Sequence, residues 1–123
     1  MDNMDRTKSL TLVSILCIAF VSPYLGVALP SSDDLVSKGR ILFEEGSYKE
    51  AIMAFSQAIE TNPSNVQAYY LRGKTKTVFE DYHGAMKDYN VAMESEPSFA
   101  EAYLERGNVK FALQDYYGAI KDY

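Results

Sequence analysis

The sequence has few of the residues from which common catalytic and metal sites are built. Of its 123 residues one is cysteine (Cys17), one is histidine (His83) and none is tryptophan. One cysteine excludes an intrachain disulfide and a cysteine-based zinc site, and one histidine leaves no histidine pair for a metal. No glycine-rich phosphate loop and no Ser/His/Asp set is present. We therefore expect a protein that is not an enzyme and that needs no cofactor or metal.

Positive charge is also scarce. Twelve Lys and Arg residues stand against 17 Asp and Glu residues, which gives a net charge of −5. Sequence-independent binding of nucleic acid requires clustered positive charge, so no nucleic-acid partner is expected. Apolar residues make up 47% and charged residues 24% of the chain. These are ordinary values for a globular protein and argue against wholesale disorder.

Charge of either sign is missing from the stretch between positions 9 and 32, which includes the apolar run LTLVSILCIAF. A basic flank before an apolar core and small residues after it are typical of a secretory signal. We predict a signal peptide over 1–28, cleaved after Ala28. The alternatives are an uncleaved signal anchor over 10–29, which has about the length needed to cross a bilayer, and a buried helix of a soluble domain.

The signal peptide and the anchor lead to the same topology. Positive charge before the segment and acidic residues after it keep the N-terminus in the cytoplasm and send the rest across the membrane. We expect an extracytoplasmic protein, either secreted, in a periplasm or envelope, or in the lumen of the endoplasmic reticulum. Contact with the membrane would be made only through an uncleaved N-terminal segment.

A period of 34 residues organises the rest of the chain. Residues 66–89 and 100–123 are identical at 12 of 24 positions, whereas chance would give about one or two. Small residues recur in the same register in all three units, and we predict that they have a structural role. They are Gly39, Ala51, Gly73, Ala85, Gly107 and Ala119.

Each unit has apolar residues at helical spacing, with breaks at Gly46 and at Pro63 and Pro97. The pattern predicts an all-α fold with helices at about 33–45, 49–61, 67–79, 83–95, 101–113 and 117–123. The three units are 32–65, 66–99 and a truncated 100–123. Glycine inside a helix costs about 1 kcal/mol relative to alanine. We therefore expect each repeated glycine to allow close approach of the paired helix, with the repeated alanines facing it.

These residues resemble the pattern of the tetratricopeptide repeat family, which spreads a large aromatic, Leu-Gly, Tyr, Ala, an aromatic, Ala and Pro over 34 residues. The second unit matches it with Tyr69, Gly73, Tyr82, Ala85, Tyr89, Ala92 and Pro97. Two departures stand out in the second and third units. Arg72 and Arg106 replace the usual Leu before Gly, and Lys76 and Lys110 occupy a position that is usually Tyr.

The resemblance implies a solenoid of helical hairpins that binds a protein or peptide in a concave groove. In that family the second, fifth, ninth and twelfth positions of each repeat point into the groove. The predicted groove residues are Asp33, Val36, Arg40, Phe43, Gln67, Tyr70, Lys74, Thr77, Glu101, Leu104, Asn108 and Phe111. They predict an apolar stripe beside a stripe of hydrogen-bond donors and a rim of acidic and polar residues.

One subfamily of these proteins captures the C-terminal carboxylate of chaperone tails with a Lys/Asn clamp. The matching positions here hold Val36, Arg40, Leu71, Glu101 and Glu105. Only Arg40 has suitable chemistry, and the glutamates would repel an acidic tail. The resemblance therefore does not predict that specialised function.

Two further interpretations stay open beside an exported binding module. A signal followed by these repeats looks like the J-domain co-chaperones of the endoplasmic reticulum, which hold unfolded clients, although no J domain is present here. A membrane-anchored assembly factor of a cell envelope is the other. Because the third unit stops short of a full repeat, we expect either a fragment of a longer protein or self-association through exposed Tyr116, Ala119, Ile120 and Tyr123.

Overall fold

A computed structural model describes residues 28–123 of the chain. The predicted signal peptide or anchor falls on residues 1–29 and so lies almost wholly outside the described residues. Over the described range the chain forms six α-helices and no strand. They are α1 (Ser32–Glu44), α2 (Tyr48–Thr61), α3 (Val66–Val78), α4 (Tyr82–Ser95), α5 (Ala100–Ala112) and α6 (Tyr116–Asp122). The predicted all-α fold is confirmed, and every observed helix boundary lies within one residue of the predicted one.

Local sequence explains where the helices begin. Ser31 caps α1, and its side chain and that of Asp34 bond each other's backbone amides in a capping box. The side chains of Asn65, Asp81 and Asp115 accept hydrogen bonds from backbone amides at the starts of α3, α4 and α6. Such caps satisfy amides that the first turn of a helix leaves without a partner.

The helices form three antiparallel hairpins, α1–α2, α3–α4 and α5–α6, and each second helix also packs against the first helix of the next hairpin. In addition α1 contacts α3 and α3 contacts α5, whereas within the described residues no second helix contacts another second helix. The first helices of the hairpins therefore lie closer together than the second helices do. They line the inner side of a helical solenoid like that of tetratricopeptide repeat (TPR) proteins.

The repeated glycines sit under aromatic rings of the paired helix. A Cβ atom built on Gly39 would clash with the Phe55 ring, and one on Gly73 would lie 2.7 Å from the Tyr89 ring. Gly107 has the same relation to Tyr123, also at 2.7 Å. The expected close approach occurs at each glycine. The nearest atoms to each glycine include those of an aromatic ring, because a flat ring fills the space that the missing Cβ leaves, and the facing of the alanines stays a prediction.

The alanines are buried nevertheless. Ala51 and Ala85 are fully buried and Ala119 is 1% exposed. The burial of Ala119 corrects the expectation that it belongs to an exposed face available for self-association. Its small side chain packs inside the last hairpin, while Tyr116, Ile120 and Tyr123 remain largely exposed.

Candidate functional site

The best-defined cleft lies on the inner side of the solenoid, between α1 and α3. It has a volume of about 210 Å³. Arg40, Phe43 and Glu44 line it from α1, and Leu71, Lys74 and Thr75 line it from α3, with Phe55 at its base. The structure thus brings three predicted groove residues, Arg40, Phe43 and Lys74, to one place.

Neither cation of this cleft is engaged within the described part of the chain. Arg40 and Lys74 take part in none of the four ion pairs found there, although the Lys74 ammonium lies 5.9 Å from the centre of the Tyr70 ring. A cation over an aromatic face is stabilised but keeps its hydrogen-bond donors. Both side chains are therefore able to donate to a ligand in the cleft.

Val36 is not available to a ligand. It is 6% exposed and packs in the core with Leu35, Phe55 and Ala58. The Val36 side chain fills the space where α1 packs against α2 and α3. The predicted apolar stripe therefore lacks its first member. That part of the prediction is wrong.

Two predicted groove residues, Thr77 and Asn108, form hydrogen bonds within the fold itself. The Thr77 hydroxyl forms a hydrogen bond of 2.9 Å with the Tyr89 hydroxyl and donates to the carbonyl of Gly73. The side-chain oxygen of Asn108 accepts a 2.8 Å hydrogen bond from the Tyr123 hydroxyl. These bonds hold the aromatic rings over the glycines and tie groove residues to the second helices.

The other predicted groove residues are spread along the first helices. Asp33 accepts a hydrogen bond from Asn65, while Gln67 is half-buried and Glu101 is exposed. Phe111 is 58% exposed and packs edge-on against Tyr116. Leu104 faces a second, open hollow at the end of the last hairpin, together with Tyr103 and Tyr123. Their contact with a ligand stays a prediction.

Four residues of the cleft were not among the predicted groove residues: Glu44, Phe55, Leu71 and Thr75. Leu71 lies one turn before Lys74 and Thr75 lies directly after it. Residues three or four apart share a helix face, so Leu71 was within reach of sequence reasoning. Thr75 is fully buried, and its hydroxyl donates a hydrogen bond to the carbonyl of Leu71. No feature of the sequence indicated that this threonine would line the cleft.

A repeated cluster of buried charges lies away from the inner cleft. Arg72 donates two hydrogen bonds, of 2.9 and 2.7 Å, to the carboxylate of Asp88, and the Lys76 ammonium lies 2.9 Å from the same carboxylate. The third Arg72 bond reaches Ser56 on the preceding hairpin. The hydrogen bonds with Asp88 raise the pKa of Arg72. The Arg72 guanidinium therefore joins α3 to α4 through Asp88 and to α2 through Ser56.

The third hairpin repeats the arrangement. Arg106 donates two hydrogen bonds to Asp122 and a third to Asn90, and Lys110 lies 2.9 Å from Asp122. Burial alone would raise the pKa of Asp122, but the bonds from Arg106 and Lys110 lower it. The two departures from the family pattern, Arg before the glycine and Lys three residues after it, thus belong to the same ion cluster. The spacing of Arg, Lys and Asp at i, i+4 and i+16 in both units was the sequence pattern that could have predicted this cluster.

Within the described residues no group of His, Cys, Asp and Glu side chains is arranged to hold a metal ion. In the same part of the chain no helix has the length and apolar character that a membrane crossing requires.

Comparison with known proteins places the fold. Residues 39–76 match the TPR repeat family. The first TPR domain of human RPAP3 is 31% identical, with a TM-score of 0.72 over 74% of this chain and 72% of that one. The first TPR of Spaghetti (RPAP3), solved with the HSP90 peptide SRMEEVD, is 30% identical, with a TM-score of 0.73 over 75% and 73% of the two chains.

The likeness extends to a plant protein. The TPR domain of Arabidopsis OM64 is 25% identical, with a TM-score of 0.73 over 75% of this chain and 76% of that one. A comparison with curated proteins returned no match. The sequence identity with the RPAP3 domain agrees with the 34-residue period and with the helical hairpins. The chain belongs to the tetratricopeptide repeat family.

Proposed function

We propose that this protein is a non-enzymatic interaction module that binds a segment of a partner protein in the inner cleft between α1 and α3. The observation that carries the proposal is the pairing of two cations that form no ion pair within residues 28–123, Arg40 and Lys74, with the apolar walls formed by Phe43 and Leu71. Such a cleft accepts an apolar side chain while the cations bind carboxylates or carbonyls of the same segment. A TPR protein of the same fold, Spaghetti (RPAP3), has been solved with a bound peptide.

The proposal is tested by selecting peptides from a random twelve-residue display library on the full chain. Peptides selected on the wild type should bind the double variant Arg40→Glu, Lys74→Glu about tenfold or more weakly, because two attractive charges become repulsive. Affinity is measured by fluorescence anisotropy, and circular dichroism checks that the variant keeps its helices.

A matched control is offered by two exposed lysines outside the cleft. The variant Lys87→Glu, Lys121→Glu, with both lysines exposed on second helices, changes the net charge by the same amount but should leave peptide affinity within about twofold, since exposed charges away from the cleft are screened. Equal weakening by both variants would show a general charge effect and contradict the assignment of the cleft. Failure of the library to yield any enriched peptide would contradict the proposed function.

We also propose that the module acts outside the cytosol, after cleavage behind Ala28. The support is the uncharged apolar segment before the repeats, with basic residues on its N-terminal side. Expression with a secretion pathway and intact-mass measurement of the exported chain should give a protein that begins at Leu29. A mass that includes the whole apolar segment would favour the membrane-anchored alternative.

Self-association through α6 is a further proposal about partners. Tyr116, Tyr117, Ile120 and Tyr123 are between 52% and 89% exposed, and clustered apolar side chains of this kind mark interaction surfaces. Sedimentation at micromolar to millimolar concentration should show reversible association that the variant Tyr117→Lys, Ile120→Lys abolishes. A wild type that stays monomeric over this range would refute the proposal.

A further inference from the structure

The inner surface carries opposite charges at its two ends. On α1 and α3 the unengaged cations Arg40 and Lys74 share their cleft with one carboxylate, that of Glu44, so positive charge exceeds negative by one. On α5, which contacts α3, the carboxylates of Glu101 and Glu105 lie near enough to Tyr70 on α3 to raise the pKa of its hydroxyl. The two cations of α5, Arg106 and Lys110, are engaged by Asp122 on the other side of the helix, so the groove end of α5 is acidic.

Tyr70 lies between the basic end, on α1 and α3, and the acidic end, on α5. It contacts residues of both ends, so both belong to the same inner surface. Its ring lies 5.9 Å from the Lys74 ammonium on one side and packs edge-on against Phe99, at the entry to α5, at 4.9 Å on the other. Burial raises the pKa of its hydroxyl, and the carboxylates of Glu105 and Glu101 raise it further. Cation, aromatic ring and carboxylates thus follow one another across the inner face.

The acidic end is also unneutralised within the described residues. Glu101 and Glu105 take part in none of the ion pairs found there, and neither reaches Arg40 or Lys74. A ligand with negative charge throughout would gain from the first end and lose at the second. A ligand with one charge of each sign would gain at both.

We infer that the groove selects peptide segments of mixed charge, in which an acidic residue meets Arg40 and Lys74 and a basic residue meets Glu101 and Glu105. The inference rests on the proposed function and specifies its ligand. Neighbouring packed helices are about 8–10 Å apart, and an extended chain advances about 3.3 Å per residue. Lys74 on α3 is one helix spacing from α5 and Arg40 on α1 is two, so the charges are about 8–20 Å apart and the two ligand charges should be about three to six residues apart.

The test compares peptides selected from the same library on the wild-type chain and on two variants, each with the charges at one end of the groove reversed. The wild type should enrich peptides that carry an acid and a base at this spacing. The variant Arg40→Glu, Lys74→Glu has an all-acidic groove and should enrich basic peptides. The variant Glu101→Lys, Glu105→Lys has a groove with a net positive charge, in which Glu44 is the remaining carboxylate of the cleft, and should enrich acidic peptides.

The quadruple variant that combines all four changes is the decisive control. Its groove is again of mixed charge with the ends exchanged, so it should again select peptides with both charges, and bind them within about threefold of the wild type. Circular dichroism confirms that each variant folds, which is expected because all four side chains are solvent-accessible and form no ion pair in the described structure.

The outcomes separate the inference from the function on which it rests. Peptides that lose affinity in the Arg40→Glu, Lys74→Glu variant but contain only acidic residues, or no consistent charge, would overturn the inference and leave the cleft as a binding site. Absence of any enriched peptide would overturn both. Enrichment of mixed-charge peptides by the wild type, with restoration in the quadruple variant, would support both.

Discussion

Replacing Gly73 with leucine is expected to destabilise the fold by about 3 kcal/mol. The added side chain would begin with a Cβ atom 2.7 Å from the Tyr89 ring, which is itself fully buried and fixed by a hydrogen bond to Thr77. A buried ring between two helices has no room to turn away, so the hairpin α3–α4 must separate. Chemical denaturation followed by circular dichroism measures the loss.

A double-mutant cycle isolates the contact. Tyr89→Leu removes the ring and should itself be destabilising, because it empties a buried space. In that background Gly73→Ala should cost much less than it does in the wild type, since the obstacle is gone. Equal costs in both backgrounds would mean that the glycine is required for some reason other than contact with the ring. A Gly73→Leu variant with the wild-type melting curve would refute the packing argument altogether.

Replacing Asp88 with alanine is the second substitution for which a large effect is expected, also about 3 kcal/mol. The Asp88 side chain is only 4% exposed, and the Arg72 and Lys76 side chains around it are 19% and 18% exposed. Without the carboxylate, two mostly buried cations face each other with no counter-charge. Loss of one partner of a buried ion pair is costly for this reason, whatever the net value of the intact pair.

The chain offers a matched rescue for this variant. The first repeat holds Lys38, Leu42 and Ala54 where the second holds Arg72, Lys76 and Asp88, and it folds into the same hairpin without the ion cluster. The triple variant Arg72→Lys, Lys76→Leu, Asp88→Ala should therefore recover most of the lost stability, because one cation is removed and a lysine at position 72, like the exposed Lys38 of the first repeat, can extend into solvent.

An exposed carboxylate on the same helix serves as the control for Asp88. Glu94→Ala should change stability by no more than about 0.5 kcal/mol. If Asp88→Ala melted at the same denaturant concentration as Glu94→Ala, the cluster would have no role in stability. If the triple variant were no more stable than Asp88→Ala, the loss would have another cause than unpaired charge.

Much of the candidate site followed from the sequence, and the failures have physical causes. The register of the repeats placed Arg40, Phe43 and Lys74 on one side of the first helices, and all three line the cleft. Val36 occupies an equivalent register position but is buried. The same position in the second repeat, Tyr70, stays half-buried because its larger side chain reaches the surface. Register assigns a direction to a side chain, but its size and neighbours decide how far it remains exposed.

The sequence by itself determined the helices, their pairing and the repeat, because a 34-residue period of small and aromatic residues between helix-breaking positions admits few other arrangements. The sequence also contains the Arg, Lys and Asp of each ion cluster, but it does not show that they contact one another. Only the tertiary structure decided that Asp88 meets Arg72 and Lys76, and that Tyr89 covers Gly73. Those pairs are 12 to 16 residues apart and lie on different helices, so their distance depends on how closely the helices pack. Helical periodicity sets the direction of each side chain, whereas burial and pairing are properties of two surfaces together.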